Sequence, residues 1–151
     1  MIIRVECDFE KLVKAYERDA MLTRSCVSQV VKIITRDIAD YAASHHQYVS
    51  RSGNMERSGI TTAMTDELTG VVALNIKAVP YASYLHNGTR AHDVAPRQRK
   101  VLRWVDGGEF VFAKRSHVGG ITADPFLFDA AAAVEPRIAG IIDSALDKVF
   151  R

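Results

Sequence analysis

Val79-Pro80-Tyr81-Ala82-Ser83-Tyr84-Leu85-His86-Asn87-Gly88-Thr89-Arg90 divides the chain. Pro80 fixes φ and has no N–H, so the strand-like run before it cannot continue through it. Tyr81, Tyr84 and Leu85 stand at i, i+3 and i+4, one face of a single helical turn, and are expected to pin that turn to a sheet. Asn87-Gly88 tolerates positive φ and ends the turn. The stretch predicts a strand end, one amphipathic turn and a sharp exit, with Thr89-Arg90 sending the chain outward. His86→Ala is expected to be mild.

Upstream, Met1–Glu6 alternates apolar and charged residues and reads as a short strand. Asp8 then caps a helix, with Lys11 where a capping box would have Glu. From Phe9 the apolar residues run through Leu12, Val13, Tyr16 and Ala20, then Val27, Val30, Val31, Ile34, Ile38, Tyr41 and Ala42. That is a 3.6-residue period over roughly ten turns. Glu10 and Lys14 form an i,i+4 pair on the polar side. The polar run Thr23-Arg24-Ser25 leaves two readings, one long helix or a short one followed by a longer one. At this β-branched content the helix is not stable alone and must lie on a sheet or a neighbouring subunit. Ser50–Gly59 (SRSGNMERSG) is polar, with two Ser-Gly pairs, and reads as a loop. Ile60, Thr62 and Met64, then Val72, Leu74 and Ile76, alternate on either side of a turn at Asp66–Gly70. They predict a β-hairpin with one buried side, its second strand spanning Gly70–Ala78.

Downstream, His92–Lys100 (HDVAPRQRK) reads as an exposed basic arm. Val101–Val105 and Glu109–Ala113 are strands about a Gly107-Gly108 turn. Phe110 and Phe112 share one strand face, the usual mark of core. Lys114–Thr122 is a second irregular basic stretch. Asp124-Pro125 starts a helix, Asp as N-cap and Pro at the first helical position. Pro136 breaks it, and Ile138, Ile141, Ile142, Ala145, Leu146 and Val149 carry an apolar stripe to the end. The class is α+β: a long N-terminal helix and a C-terminal helix packed on an antiparallel sheet of about four or five strands, in a single domain over 1–151.

At 151 residues the chain is long enough to bury a core without staples, and 48% hydrophobic with 25% charged residues argues against disorder. A net charge of +2 does not by itself announce a nucleic-acid binder. Cys7 and Cys26 make no disulfide framework and read as small buried hydrophobes in a reducing compartment. The opening residues do not read as a signal peptide, and no run approaches a membrane span.

Catalytic chemistry finds no foothold. No G-x-S-x-G, P-loop, G-x-G-x-x-G or H-E-x-x-H occurs. The helical carboxylates read as solvated faces. Of the histidines, His45 and His46 are adjacent and cannot share a helix face, and His86 and His92 with Asp93 are the one loop set placed to converge. The default for them is solvated or hydrogen-bonded loop histidines. No catalytic, cofactor or metal residue is therefore expected, and no cofactor. The basic residues Arg90, Arg97, Arg99, Lys100, Arg103, Lys114 and Arg115, near Trp104, Phe110 and Phe112, fit phosphate contacts or an acidic partner equally well.

Four segments, in order, resemble one family. Arg51-Ser52-Gly53-Asn54-Met55-Glu56-Arg57-Ser58 resembles R-T-G-x-L-x-x-S, with Ser52 for Thr and Met55 for Leu. Tyr81–Thr89 resembles Y-A-x-Y-v-E-x-G-T, with His86 in place of the acid, so no role of that acid carries over. His117-Val118-Gly119-Gly120 resembles an H-P-G segment without its proline, and Asp124-Pro125-Phe126-Leu127 with Ala130 resembles x-P-F-l-x-x-A. The family is the head–tail joining proteins of long-tailed phages and prophages (neck, tail-completion or minor tail proteins), the group named after the tenth gene product of a lambdoid phage.

The resemblance implies a non-enzymatic virion subunit. It would be made in the host cytoplasm and assemble as a ring at the head–tail junction between portal or head-closure proteins and the tail tube. DNA would pass through its lumen, and no membrane is involved. A ring needs heterologous contacts. Segments 50–59 and 90–100 are expected to supply them, through Arg51, Asn54, Arg57, Arg90, His92, Arg97, Arg99 and Lys100. Tyr81, Tyr84, Gly88, Thr89, Pro125 and Phe126 are the expected structural motif residues. The alternative is a small nucleic-acid-binding domain using the basic 90–115 region.

Overall fold

A computed structural model of the chain describes residues 1–6, 9–10 and 20–150. Asp8 as a cap, Cys7, Leu12, Val13, Tyr16 and the Lys14 half of the Glu10 pair lie outside the described residues. The first long element is helix α1, Ala20–Ser44. It runs unbroken through Thr23–Ser25; the stretch that decides between one helix and two is 11–19, outside the described residues. Val27, Val30, Val31, Ile34, Ile38 and Ala42 are buried along one stripe, as the periodicity requires.

That stripe lies on a three-stranded antiparallel sheet, β1 (Ile2–Glu6), β2 (Ile60–Met64) and β3 (Thr69–Leu74), in the order β1-β3-β2. The register is fixed by pairs such as Val5 with Gly70 and Met64 with Gly70. Gly70, Val72 and Leu74 form the buried face of β3. A Cβ at Gly70 would stand 1.9 Å from Thr35 Oγ1, so the helix sits directly on the central strand there. On the other flank of α1 pack α4 (Phe126–Val134) and α5 (Ile138–Phe150), joined by a 3₁₀ turn at Glu135–Arg137 that holds Pro136. Phe126, Leu127, Ala130 and Val134 are buried against α1, and the Ile138–Leu146 stripe closes the core. The class is α+β.

The single sheet of four or five strands is a correction: among the described residues seven strands form three small sheets. Strand β3 stops at Leu74 rather than continuing to Ala78. Asn75 is the reason. Its Oδ1 accepts the Ala78 N–H at 3.2 Å and its carbonyl accepts the Val79 N–H at 2.9 Å, a local turn that competes with the ladder and leaves Ile76 exposed. Ser50–Gly59 is not wholly loop either. Asn54–Ser58 forms a short helix, α2, whose Met55 is buried in the core.

The remaining strands make a long two-stranded ribbon. Thr89 and Ile121 exchange backbone hydrogen bonds at 2.8 and 3.0 Å. Beyond them β4 (His92–Val94) pairs with β7 (Ser116–Val118), and β5 (Leu102–Asp106) with β6 (Glu109–Ala113). Both stretches read as irregular therefore contain a strand; runs of three residues, His-Asp-Val and Ser-His-Val, are too short to show alternation. On one side of the ribbon residues 95–101 intervene, and on the other only 114 and 115, so the basic arm is an excursion from the ribbon. No helix among the described residues is long and apolar enough to cross a membrane.

Candidate assembly interface

The opening stretch forms the root of this ribbon. Helix α3, Ala82–Asn87, is the expected turn, but its buried face differs from the one expected. Tyr81 and Tyr84 are exposed and Leu85 is half-buried, whereas Ala82 and His86 are buried. The 81/84/85 spacing describes a face, and the core took the neighbouring one. Tyr81 instead lines, with Leu85, Met55 and Ile121, a cleft of about 350 Å³ bordered by residues 48–55.

His86 is not a solvated loop histidine. It is 2% exposed, with its ring edge-to-face on Phe126 at 5.0 Å and on Phe128 at 5.4 Å. Its Nε2 is buried without a hydrogen-bond partner, and burial depresses its pKa. Gly88 has φ 71°, as the turn demanded. A Cβ there would also lie 2.7 Å from both Ala123 N and Ile121 O, so the chain passes its own return strand at backbone contact.

Asp124 does not cap its own helix. Its carboxylate is 4% exposed and accepts the backbone N–H groups of Gln47 and Tyr48, the latter at 2.8 Å, while the helix N-cap position falls on Pro125. Asp-Pro reads identically in either role, so no local signal distinguishes them. Beside this contact the rings of His46 and Tyr48 stack at 3.8 Å, Tyr48 meets the edge of Phe126, and His46 Nε2 lies 3.3 Å from Glu56 Oε1. Burial acts against the Glu56 carboxylate. Its own backbone N–H, the Ser50 and Tyr48 hydroxyls and His46 outweigh that and hold its pKa below the usual range. Burial and the facing Glu56 push the Tyr48 phenol well up. This cluster ties the end of α1 to α2 and the start of α4, and the sequence reading did not find it.

The expected interface residues divide into three groups. Arg57 and Asn54 are spent locally: the Arg57 guanidinium donates to Ser52 O at 2.8 Å and Asn54 Oδ1 at 3.0 Å, while Arg51 borders the cleft. Arg90 and His92 are exposed at the ribbon root, with His92 Nδ1 2.9 Å from Arg90 O. Arg97, Arg99 and Lys100, with Arg103 and Phe112, line a hollow of about 730 Å³ beneath the excursion. Residues 90–115 hold seven Lys and Arg against three Asp and Glu, a net +4 on a chain whose total is +2.

The hairpin β5–β6 turns at Gly107 and Gly108, both with positive φ, and among the described residues its main packing is with itself. Phe110 and Phe112 are not core: each is 60% exposed, as is Val105 at 61%, and Trp104 on the opposite face is 38% exposed. Arg103 lies over the Phe110 ring at 4.8 Å. A two-stranded hairpin alone is marginal in water. Covering what Val105, Phe110 and Phe112 leave exposed would gain about 1–2 kcal/mol each.

Among the described residues no three His, Cys, Asp or Glu side chains converge on a point. His117 pairs with Asp93 at 2.8 Å across the β4–β7 ladder, away from His86. Cys26 is half-buried, and burial raises its thiol pKa, away from nucleophilic character. Comparison with protein-family models, with curated proteins and with solved structures finds no match to this chain.

Proposed function

We propose that the chain is a non-enzymatic structural subunit of the head–tail junction of a long-tailed phage or prophage, forming a ring between the head-closure proteins and the tail tube. One observation carries the reading. The four segments that resemble the neck family, spread from Arg51 to Ala130, meet at a single junction. Residues 48–55 face Tyr81, Leu85 and Ile121, Gly88 lies against Ile121 and Ala123, Gly120 lies against Thr89 and Ala91, and Asp124 reaches back to Gln47 and Tyr48. Motif residues that cooperate in one tertiary feature support a shared fold better than isolated matches do. That junction roots a protruding ribbon, as an assembly subunit requires.

The test is genetic and morphological. Deleting the gene from an inducible phage that carries it is expected to leave DNA-filled heads and finished tails unjoined by electron microscopy, restored by the gene in trans. Normal particles from the deletion would refute the reading.

The second reading, a single-strand nucleic-acid-binding domain, is favoured by exposed Trp104, Phe110 and Phe112 beside Arg97, Arg99, Lys100 and Arg103. It predicts salt-dependent retention of single-stranded DNA by the isolated protein.

A further inference from the structure

We infer that the β5–β6 hairpin of one copy docks on the free edge of β2 in a second copy, a head-to-tail contact that leaves each copy with one donor and one acceptor surface. The acceptor is the less protected edge of the three-stranded sheet. On the β1 edge, Arg4 and Glu6 form an ion pair at 3.1 Å, the charged guard that edge strands commonly carry. The opposite edge, β2, reads Ile-Thr-Thr-Ala-Met, with no charge and no proline, and among the described residues no strand pairs with its outer side.

Beside that edge lies a groove of about 210 Å³, with Thr62, Ala63 and Met64 along one wall and Lys32, Thr35 and Arg36 of α1 along the other. An added strand would complete the backbone ladder and place its turn near the two cations.

The donor matches in length, chemistry and charge. β5, β6 and β2 are each five residues long. The hairpin carries apolar residues on both faces, and among the described residues its main packing is strand on strand. Its tip, Asp106-Gly107-Gly108-Glu109, carries two acids on a ribbon of net positive charge, opposite in sign to Lys32 and Arg36. Among the described residues the hairpin has its main contacts within itself and not with the β2 edge of its own chain, and the opposite charges of tip and groove commit the occupant to a second copy. Donor and acceptor are different surfaces, and such contacts close into rings or run into filaments.

The contact is the one a ring would use, so it rests on the assembly reading above, yet the two fail separately. A chain that self-associates this way but is absent from particles retains the contact and loses the neck role. A particle that assembles normally with the hairpin variant below loses the contact alone.

The experiment is light scattering and sedimentation on the full chain and two variants. Phe110→Ser/Phe112→Ser disables the donor, and Lys32→Glu/Arg36→Glu disables the acceptor. The wild type is expected to form oligomers larger than a dimer. Each variant alone is expected to associate at least tenfold more weakly, with unchanged circular dichroism. Their equimolar mixture is expected to stop at a heterodimer, because one intact donor and one intact acceptor remain. Asp106→Lys/Glu109→Lys is expected to weaken association and to regain it with the Lys32→Glu/Arg36→Glu partner. A strictly monomeric wild type, variants that keep the wild-type oligomer, or a mixture that forms no heterodimer overturns the contact. So does a monomer that retains single-stranded DNA through Phe110 and Phe112.

Discussion

Replacing His86 tests the root of the ribbon at its least comfortable residue. The imidazole is buried between the edges of two phenyl rings, Nδ1 has only a 3.4 Å approach to Asn87 Oδ1, and Nε2 has no partner. Two terms of opposite sign follow from truncation to Ala. The cavity left by a buried ring costs about 3–5 kcal/mol at sites lined by aromatic and aliphatic groups. Removing an unsatisfied buried nitrogen returns about 1–3 kcal/mol. His86→Ala is therefore expected to destabilise by about 2 kcal/mol, while His86→Leu, which refills most of the volume and has no polar atom, is expected to lie within about 1 kcal/mol of wild type. The pH dependence separates the two terms. Burial is the main cause that depresses the folded-state pKa; the Asn87 contact and the charges of Asp124 and Asp129 offset part of it. Below the unfolded value near 6.5 the unfolded chain takes up a proton that the folded chain refuses. Stability is thus whole above that value and falls as pH drops through it toward the folded pKa, by at most about 1.4 kcal/mol per pH unit. Urea unfolding followed by circular dichroism between pH 7.5 and 5 checks this, and His86→Leu should flatten the slope. A wild type and His86→Leu with equal slopes, or a His86→Ala cost under about 0.5 kcal/mol, would refute the packing argument.

Three further outcomes are expected. Gly88→Val places a branched side chain at φ 71° and a Cβ 2.7 Å from two backbone atoms, so a loss above about 3 kcal/mol or failure to fold is expected in expression and unfolding assays. Asp124→Ala strips the acceptor from two backbone N–H groups in a buried site and should cost about 3 kcal/mol by urea unfolding, well beyond the roughly 1 kcal/mol of an ordinary N-cap loss. The depressed Glu56 pKa gives stability that is present above its unfolded value near 4.5 and is lost as pH falls through the folded value, so Glu56→Gln should reduce the acid sensitivity of thermal melting below pH 4.5.

What the sequence disclosed follows from the range of each signal. Period 3.6 along α1, the β2–β3 alternation, the Gly107-Gly108 turn, the Pro136 break and the positive φ of Gly88 are set within a few residues, and each stands where the residues put it. Asn75 is also local, but its turn competes with a run of apolar residues that continues to alternate past it, and periodicity alone does not weigh a side-chain hydrogen bond against the ladder. The cluster around Asp124, Glu56 and His46 is a different case, because its partners stand as far as 77 residues apart and each residue has a sufficient local reading of its own.

Phe110 and Phe112 show where the pattern method reaches its limit. Alternation identifies a strand whose two faces differ; it does not say which molecule covers the apolar one. In β3 the cover is α1 of the same chain, and Val72 is buried completely. In β6 the same alternation finds its main contacts, among the described residues, only in β5, and Phe110 and Phe112 stay exposed. Core and interface share one signature in sequence, and they part only when the fold has used all its own helices elsewhere. Here, among the described residues, α1 packs on the three-stranded sheet while α4 and α5 pack on α1, and the main contacts of the ribbon strands are with each other. Apolar periodicity in excess of what the described residues cover is the observation on which the proposed contact rests, and it lies on the hairpin rather than on the exposed basic loops.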